Sequence, residues 1–383
     1  MDTEFGSSPP FSIGIEEELF LVDPVTGRQA NSSAAVIRRL PASDGGGHAE
    51  PELHACQVEL ISGICTTVGQ AVDQLQSMRR RVLETGVGLI GSGTHPEATE
   101  GDAEVTDKAR YEQIVELLGD AAATPVAGLH VHVGMPDAET AIRAFNGLRR
   151  HLPLLQAVAA NSPFRHGRDT GLASAREVTI RGWPRSGVPR AMRDFDDFAA
   201  STELLSRAAD VADYTWFWWK LRPHPQLGTV EVRALDVQID PASTAAIAAL
   251  VHCLARHEAE ATGAPETPAE LVDEGLFRAA RFGVKARLPD HQGRLRPFGE
   301  VMREALDAAC PHADALGCRR ELDALPGLIA QAGGAGRQRS LYEIAGMDAL
   351  LRDLTRATAG VQAPAADRER SGLTPPAAAR SCP

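Results

Sequence analysis

No hydrophobic run in this sequence is long enough to span a membrane, and the amino terminus, Met1-Asp2-Thr3-Glu4-Phe5, lacks the basic and apolar regions of a signal peptide. A soluble, cytoplasmic protein is expected. Cysteine is sparse, six in 383 residues, with no Cys-x-x-Cys. Cys56, Cys65, Cys253, Cys310, Cys318 and Cys382 are therefore expected to be free thiols in a reducing compartment. Basic excess is missing too: a formal net charge of −12 and a pI near 5.5 argue against a nucleic-acid surface. Neither a Gly-x-x-x-x-Gly-Lys-Ser/Thr loop nor a Gly-rich kinase loop is present, so any use of ATP must rely on a different fold. There is no internal repeat.

What is present is ordinary globular composition, 43% hydrophobic and 23% charged, with an unusual pattern inside three strand-like segments. These are Gly14-Ile15-Glu16-Glu17-Glu18-Leu19-Phe20, Gly128-Leu129-His130-Val131-His132-Val133-Gly134 and Gly228-Thr229-Val230-Glu231-Val232-Arg233. Side chains alternate faces along a strand, so Glu16 with Glu18, His130 with His132, and Glu231 with Arg233 each share a face. Two like charges about 4 Å apart repel by roughly 1 kcal/mol in water and about 4 at an effective dielectric of 20. Converging carboxylates must take up protons or recruit a cation. Each pair alone could also sit on a solvated strand face. Strands near residues 15, 131 and 231 must share one sheet to build one site, which favours a single large α+β domain over the two or three that length alone suggests.

Along the chain, residues 1–10 are rich in Ser, Pro and Gly and are expected to be disordered. Residues 11–358 form the domain, mixed α/β to about residue 240 and mostly helical after, and residues 359–383 read as a flexible tail. Strands are expected at Phe11–Val22, His54–Ile61, Gly86–Gly93, the histidine segment, Trp216–Leu221 and the Glu231 segment. Helical spacing marks Val68–Glu84, Tyr111–Leu118, Glu139–Ala159 with an interruption at Pro153, and Asp194–Ala212. The long connection from Asn161 to Arg193 has the length of a functional loop. Its Arg176, Arg181, Arg185 and Arg190 suit a small anionic ligand.

Glu16, Glu18, Glu59 and Glu231 are the carboxylates expected to converge, with His130 nearby. Carboxylate oxygen suits Mg²⁺ or Mn²⁺, and imidazole shifts the preference toward Mn²⁺ or Zn²⁺. His-x-His with a distant carboxylate also fits a metal-dependent amidohydrolase, and a nonenzymatic small-molecule binder remains open. Arginines beside carboxylates are what phosphoryl transfer requires.

Six segments then carry a resemblance: Gly14-Ile15-Glu16-Glu17-Glu18, Glu52-Leu53-His54-Ala55-Cys56-Gln57-Val58-Glu59, Gly93-Thr94-His95-Pro96, the histidine strand, Ala160-Asn161-Ser162-Pro163-Phe164, and Gly228-Thr229-Val230-Glu231-Val232-Arg233. In this order, over nearly the whole chain, they resemble the glutamate-cysteine ligase type 2 family, particularly its YbdK-type carboxylate-amine ligases. The resemblance implies an antiparallel β-sheet funnel flanked by helices, like the catalytic domain of glutamine synthetase. It implies ATP with Mg²⁺ or Mn²⁺, phosphorylation of a carboxylate such as that of glutamate, and attack of an amine on the acyl phosphate. Mapped by motif, Glu16, Glu18, Glu59 and Glu231 resemble metal ligands, and His130 resembles a residue at the metal and phosphate site. Arg233 resembles a phosphate contact and Arg176 a substrate or phosphate contact. Arg337 and Arg339, in a family-like Gly-Ala-x-Arg-Gln-Arg segment, resemble nucleotide contacts. A homodimer is the assembly it suggests. Lys220 departs from the acidic residue of many relatives, which bears on substrate choice.

Overall fold

The computed structural model describes residues 1–40, 46–261, 266–330 and 333–360. Its strands in chain order are β1 (Ile13–Val22), β2 (His48–Pro51), β3 (Gln57–Ile61), β4 (Gly88–Ile90), β5 (Gly128–Gly134), β6 (Phe164–Arg165), β7 (Arg168–Asp169), β8 (Leu221–His224), β9 (Thr229–Asp236), β10 (Arg287–Pro289) and β11 (Leu295–Pro297). The main sheet runs β2-β3-β1-β5-β9-β8, with β4 pairing the far end of β1, and every pairing is antiparallel. The two remaining strand pairs are small hairpins.

Period-two patterning gives the sheet two unlike faces. Ile13, Ile15, Leu19 and Leu21 of β1, Leu129, Val131 and Val133 of β5, and Val230 and Val232 of β9 all enter one hydrophobic core. Helices Val68–Glu84, Ala138–Leu148, Leu152–Ala159 and Pro241–Glu260 cover that side. The last is buried all round from Thr244 to Ala255, as expected of a helix apolar on every face. Its start is fixed by Asp240, whose side chain accepts the Ser243 N–H. Pro153 sits in the first turn of Leu152–Ala159, where its missing N–H costs nothing.

Glu17 points into this apolar side, opposite to Glu16 and Glu18. Arg79 donates to both of its oxygens at 2.8 Å, and Thr244 donates at 2.6 Å. Arg79 also donates to the carbonyls of Gln238 and Ile239, tying the chain beyond β9 to β1.

Several expectations are corrected. Residues 1–10 are ordered: the Glu4 and Gly6 N–H groups donate to Pro225 and Met135 carbonyls, and Phe5 stacks edge-on against Phe195. Composition could not reveal those distant partners. Trp216–Leu221 is not a strand; Tyr214–Trp216 is a 3₁₀ turn and β8 begins at Leu221. The aromatics there reflect burial against each other, Trp218 on Trp183 and Phe217 on Trp219, rather than ladder pairing. Cys56, Cys65, Cys253 and Cys318 are free thiols, but Cys310 is disulfide-bonded, because sparse spacing says nothing about pairs that folding brings together. Cys382 and residues 361–383 of the expected tail lie outside the described residues. Among the described residues, no helix is long and apolar enough to cross a membrane.

Candidate active site

The polar face of the sheet carries the three strand pairs. Across β1 and β5, Glu16 stands opposite His130; across β1 and β3, Glu18 opposite Glu59; across β5 and β9, His132 opposite Glu231. His130 Nδ1 is 2.9 Å from Glu16 Oε2 and its Nε2 is 3.5 Å from Glu18 Oε1. Gly128 N–H donates to Glu18 Oε2 at 2.5 Å. The geometry yields two donor groups, Glu16-His130-Glu231 and Glu18-Glu59-His130, each with one ligand atom per residue within 4.8 Å of the others. All five residues read from the sequence as metal ligands are thus adjacent, and His130 belongs to both groups.

The electrostatics divide the site. Burial, then the charges of Glu16, Glu52 and Glu18, push the Glu59 carboxyl well above the ordinary value. Burial and Glu18 push Glu52 up to about 7. Burial would also raise Glu16, but His132 and His130 outweigh it and hold the carboxyl well below the usual range. The same contest at Glu231 is won by Arg222, Arg233 and His132. A divalent cation would relieve the crowding around Glu59 and Glu52. A donor set of four carboxylates and one imidazole fits Mg²⁺ or Mn²⁺ better than Zn²⁺. His132 is not in either group: its Nδ1 lies 3.0 Å from Thr229 Oγ1, and its buried Nε2 lies 3.1 Å from Glu16 without hydrogen-bond alignment.

The opposite end of this face is basic. Arg222 Nε lies 2.5 Å from Glu231, and Arg233 pairs with the other oxygen of the same carboxylate. Arg176, from the helix Ala175–Ile180 inside the long connection, is 2% exposed and donates Nη2 to the Arg233 carbonyl at 3.2 Å. Its Nε and Nη1 have no partner. A side chain at Gly128 would come within 2.5 Å of Arg176 Nη2 and 3.0 Å of His130 Nε2, so Arg176 and His130 both close on this glycine, where no larger residue fits.

Other arginines read from the sequence are engaged elsewhere. Arg181 pairs with Asp273, Arg185 stacks over Phe217 and Trp218, and Arg190 pairs with Asp197. Arg337 pairs with Asp353; Arg339 binds Asp169 and the Leu172 carbonyl. Neither is among the hydrogen-bond or ion-pair partners of the sheet carboxylates. The buried member of that segment is Gln338, which donates to Asn161 at 2.8 Å, and a side chain at Gly334 would overlap Asn161. Tight docking against Asn161 explains Gly334.

Sequence reasoning missed Arg222 and Glu52. The hairpin turn at Gly228 places Arg222 opposite Glu231, so counting register across that turn could have found it. Glu52 lies outside any strand, and only its place at the head of the Glu52-to-Glu59 segment marks it.

Comparisons with known proteins give the chain's family and fold. A protein of Rubrobacter xylanophilus named as a candidate glutamate–cysteine ligase 2-3 is 40% identical over 350 residues, covering 89% of this chain and 95% of its own length. One from Gloeobacter violaceus, named as a candidate glutamate–cysteine ligase 2, is 32% identical over 353 residues, with the same coverage. Among solved structures, the fold is shared with the glutamate–cysteine ligase of Francisella tularensis in complex with AMP, at a TM-score of 0.65 and 12% identity, covering 95% of this chain and 92% of that one. A bifunctional glutathione synthetase from Pasteurella multocida also gives 0.65, at 14% identity, covering 91% of this chain and 52% of that one. The profile of glutamate-cysteine ligase family 2 (GCS2) matches residues 12–364, and this chain belongs to that family.

Proposed function

We propose that this chain is an ATP-dependent carboxylate–amine ligase, with glutamate the reference acid and cysteine the reference amine by the names of its relatives. One observation carries the reading. A single sheet face sets two carboxylate-rich donor groups beside Arg233 and a buried, half-unpartnered Arg176. Glu16, Glu18, Glu59, Glu231 and His130 would hold divalent cations, which neutralise the triphosphate when bound. The acid's carboxylate oxygen attacks the γ-phosphorus of ATP, forming an acyl phosphate and ADP. Arg233 and Arg176 stabilise the charge on the phosphoryl oxygens during that transfer. The amine then attacks the acyl carbon, phosphate leaves, and the amine's extra proton is lost, giving an amide. No protein nucleophile is needed. The amine must reach the acyl phosphate before water does, since the acyl phosphate otherwise hydrolyses.

The test uses hydroxylamine as a generic amine with purified protein, ATP and Mg²⁺. Acid-dependent ADP release with matching hydroxamate is expected. Amide cleavage without nucleotide would replace ligation with the amidohydrolase reading.

A further inference from the structure

In the core behind the sheet, on the side away from the carboxylates, two thiols meet. Cys253, in the helix Pro241–Glu260, and Cys318, the residue before the helix Arg319–Asp323, hold their Sγ atoms 3.5 Å apart, and both are fully buried. His252, beside Cys253 in the chain, is buried with them. Its Nε2 lies 2.7 Å from the Phe11 carbonyl, which can only accept, so Nε2 carries a proton and the neutral ring keeps a lone pair on Nδ1. No described residue hydrogen-bonds that Nδ1. The hydrogen bond from Cys253, then the His252 ring, outweigh burial and push the Cys318 thiol down to about 6. The same hydrogen bond and burial push Cys253 up. The pair is unequal: one sulfur favours the thiolate, and the other keeps its proton.

Most buried thiols are inert because they lack a partner, a base and a way in. Cys253 is the partner and His252 the base. The way in is the turn before Cys318, where the Asp314 side chain is 75% exposed and Gly317 is exposed at φ +62°. Arg319 on Asp314 and two backbone bonds, from Leu316 and Cys318 to the end of the preceding helix, close that turn. A short surface turn opens locally at far lower cost than a core helix, so Cys318 is reached first and Cys253 only through it. We propose that Cys253 and Cys318 are a modification site for hydroperoxides, oxidised to a disulfide with Cys318 attacking and Cys253 resolving. His252 Nδ1 receives the Cys318 proton. The thiolate attacks a peroxide oxygen, an S–O bond forms, the O–O bond breaks, and the leaving oxygen takes that proton as water or an alcohol. Cys253 sulfur then attacks Cys318 sulfur; the S–S bond forms, the S–O bond breaks, and hydroxide departs as water with the Cys253 proton. Two thiols are oxidised and one peroxide is reduced. The bond joins positions 65 residues apart and fixes the surface turn to the long core helix.

The test treats the native full chain with millimolar hydrogen peroxide, quenches it, denatures it in an alkylating agent and maps the cysteines by non-reducing mass spectrometry. Cys253 and Cys318 should be recovered joined and two hydrogens lighter, and dithiothreitol should return both thiols. The oxidised chain should melt at least about 3 °C higher than the reduced one, since closing a long loop restricts the unfolded chain. Cys318→Ala should show neither the linkage nor the shift, and should leave Cys253 unoxidised. Cys253→Ala removes the resolving thiol, so the Cys318 sulfenic acid should persist and be trapped by dimedone added on denaturation. The wild-type map needs no variant to fold and decides the linkage by itself. Exposed Met1 is the internal control for dose. Free Cys253 and Cys318 once Met1 is oxidised, linkage of either to another cysteine, or a sulfenic acid on Cys253 in place of Cys318 overturns the assignment.

Discussion

Glu59→Gln tests the site through two effects of opposite sign. No hydrogen bond or ion pair among the described residues holds the Glu59 carboxylate, while Glu16, Glu52 and Glu18 all act to raise its pKa. In the cation-free protein the side chain is therefore a liability near neutral pH. Each like-charge neighbour costs on the order of 1–4 kcal/mol between bulk water and an effective dielectric of 20, and partial protonation of Glu59 relieves some of that. Replacing it with an isosteric neutral amide should stabilise the protein in EDTA by about 1–2 kcal/mol at about pH 8, or roughly 2–8 °C in Tm. The sign of the pH dependence is fixed. A carboxyl raised in the folded state costs nothing below its unfolded value, here the ordinary 4.5, and its penalty grows as pH rises toward the folded value. The gain should thus vanish near pH 4. With Mg²⁺ the order reverses. Saturation at about 100 times Kd stabilises the wild type by about 2.7 kcal/mol, and the variant should lose most of that increment along with ADP release. Thermal melts in EDTA and in a Mg²⁺ series measure both. A variant less stable than wild type in EDTA, yet with its Mg²⁺ shift intact, would show that Glu59 is a structural carboxylate and refute the cation reading.

Three more outcomes follow from the geometry. Glu231→Gln removes the charge shared by Arg222 and Arg233, which should cost about 3–5 kcal/mol in a urea melt, leave the chain folded at 25 °C, and abolish ADP release; retained turnover contradicts the site. Gly128→Ala drives a methyl into buried Arg176 and His130 and should cost about 1–3 kcal/mol in a urea melt and lower kcat by about 100-fold or more at 25 °C, where the chain stays folded; unchanged kcat means that the two side chains hold no reacting group there. His95, buried with Nε2 on the Gly27 carbonyl and Nδ1 accepting the Ala98 N–H, is pushed down to about 4 by burial. Stability should be full above the ordinary 6.5 and fall by about 3 kcal/mol as pH drops to about 4, and His95→Gln should flatten that limb of the urea-midpoint profile.

Period two made the sheet residues legible. Once Ile13, Ile15, Leu19 and Leu21 are placed in the core, Glu16 and Glu18 can point only the other way, and the same logic fixes His130, Glu231 and Arg233. Partners set by long-range packing were not legible. Lys220 and Glu177 are 43 residues apart, and neither has a local pattern that names the other. Gly334 was illegible for a related reason: glycine marks close backbone approach, but sequence cannot say whether phosphate or another side chain approaches. Here it is Asn161. The first ten residues misled because low-complexity composition reports a weak intrinsic core, not the ready-made surface at Met135 and Pro225 that receives them.

The run Glu16-Glu17-Glu18 shows how one strand separates stability from function. Glu17 enters the apolar side and is neutralised at once by a bidentate Arg79, with Thr244 satisfying a further lone pair. Its burial is complete and its charge is balanced inside the chain. Glu16 and Glu18, one residue either side, face Glu59, Glu52 and two imidazoles, where the nearby cations are either titratable or already committed to Glu231. A sheet evolved for stability alone would carry apolar or paired residues there, as it does on its other face. The contrast within three consecutive residues, a balanced pair below and crowded carboxylates above, marks the face where a divalent cation would relieve the repulsion.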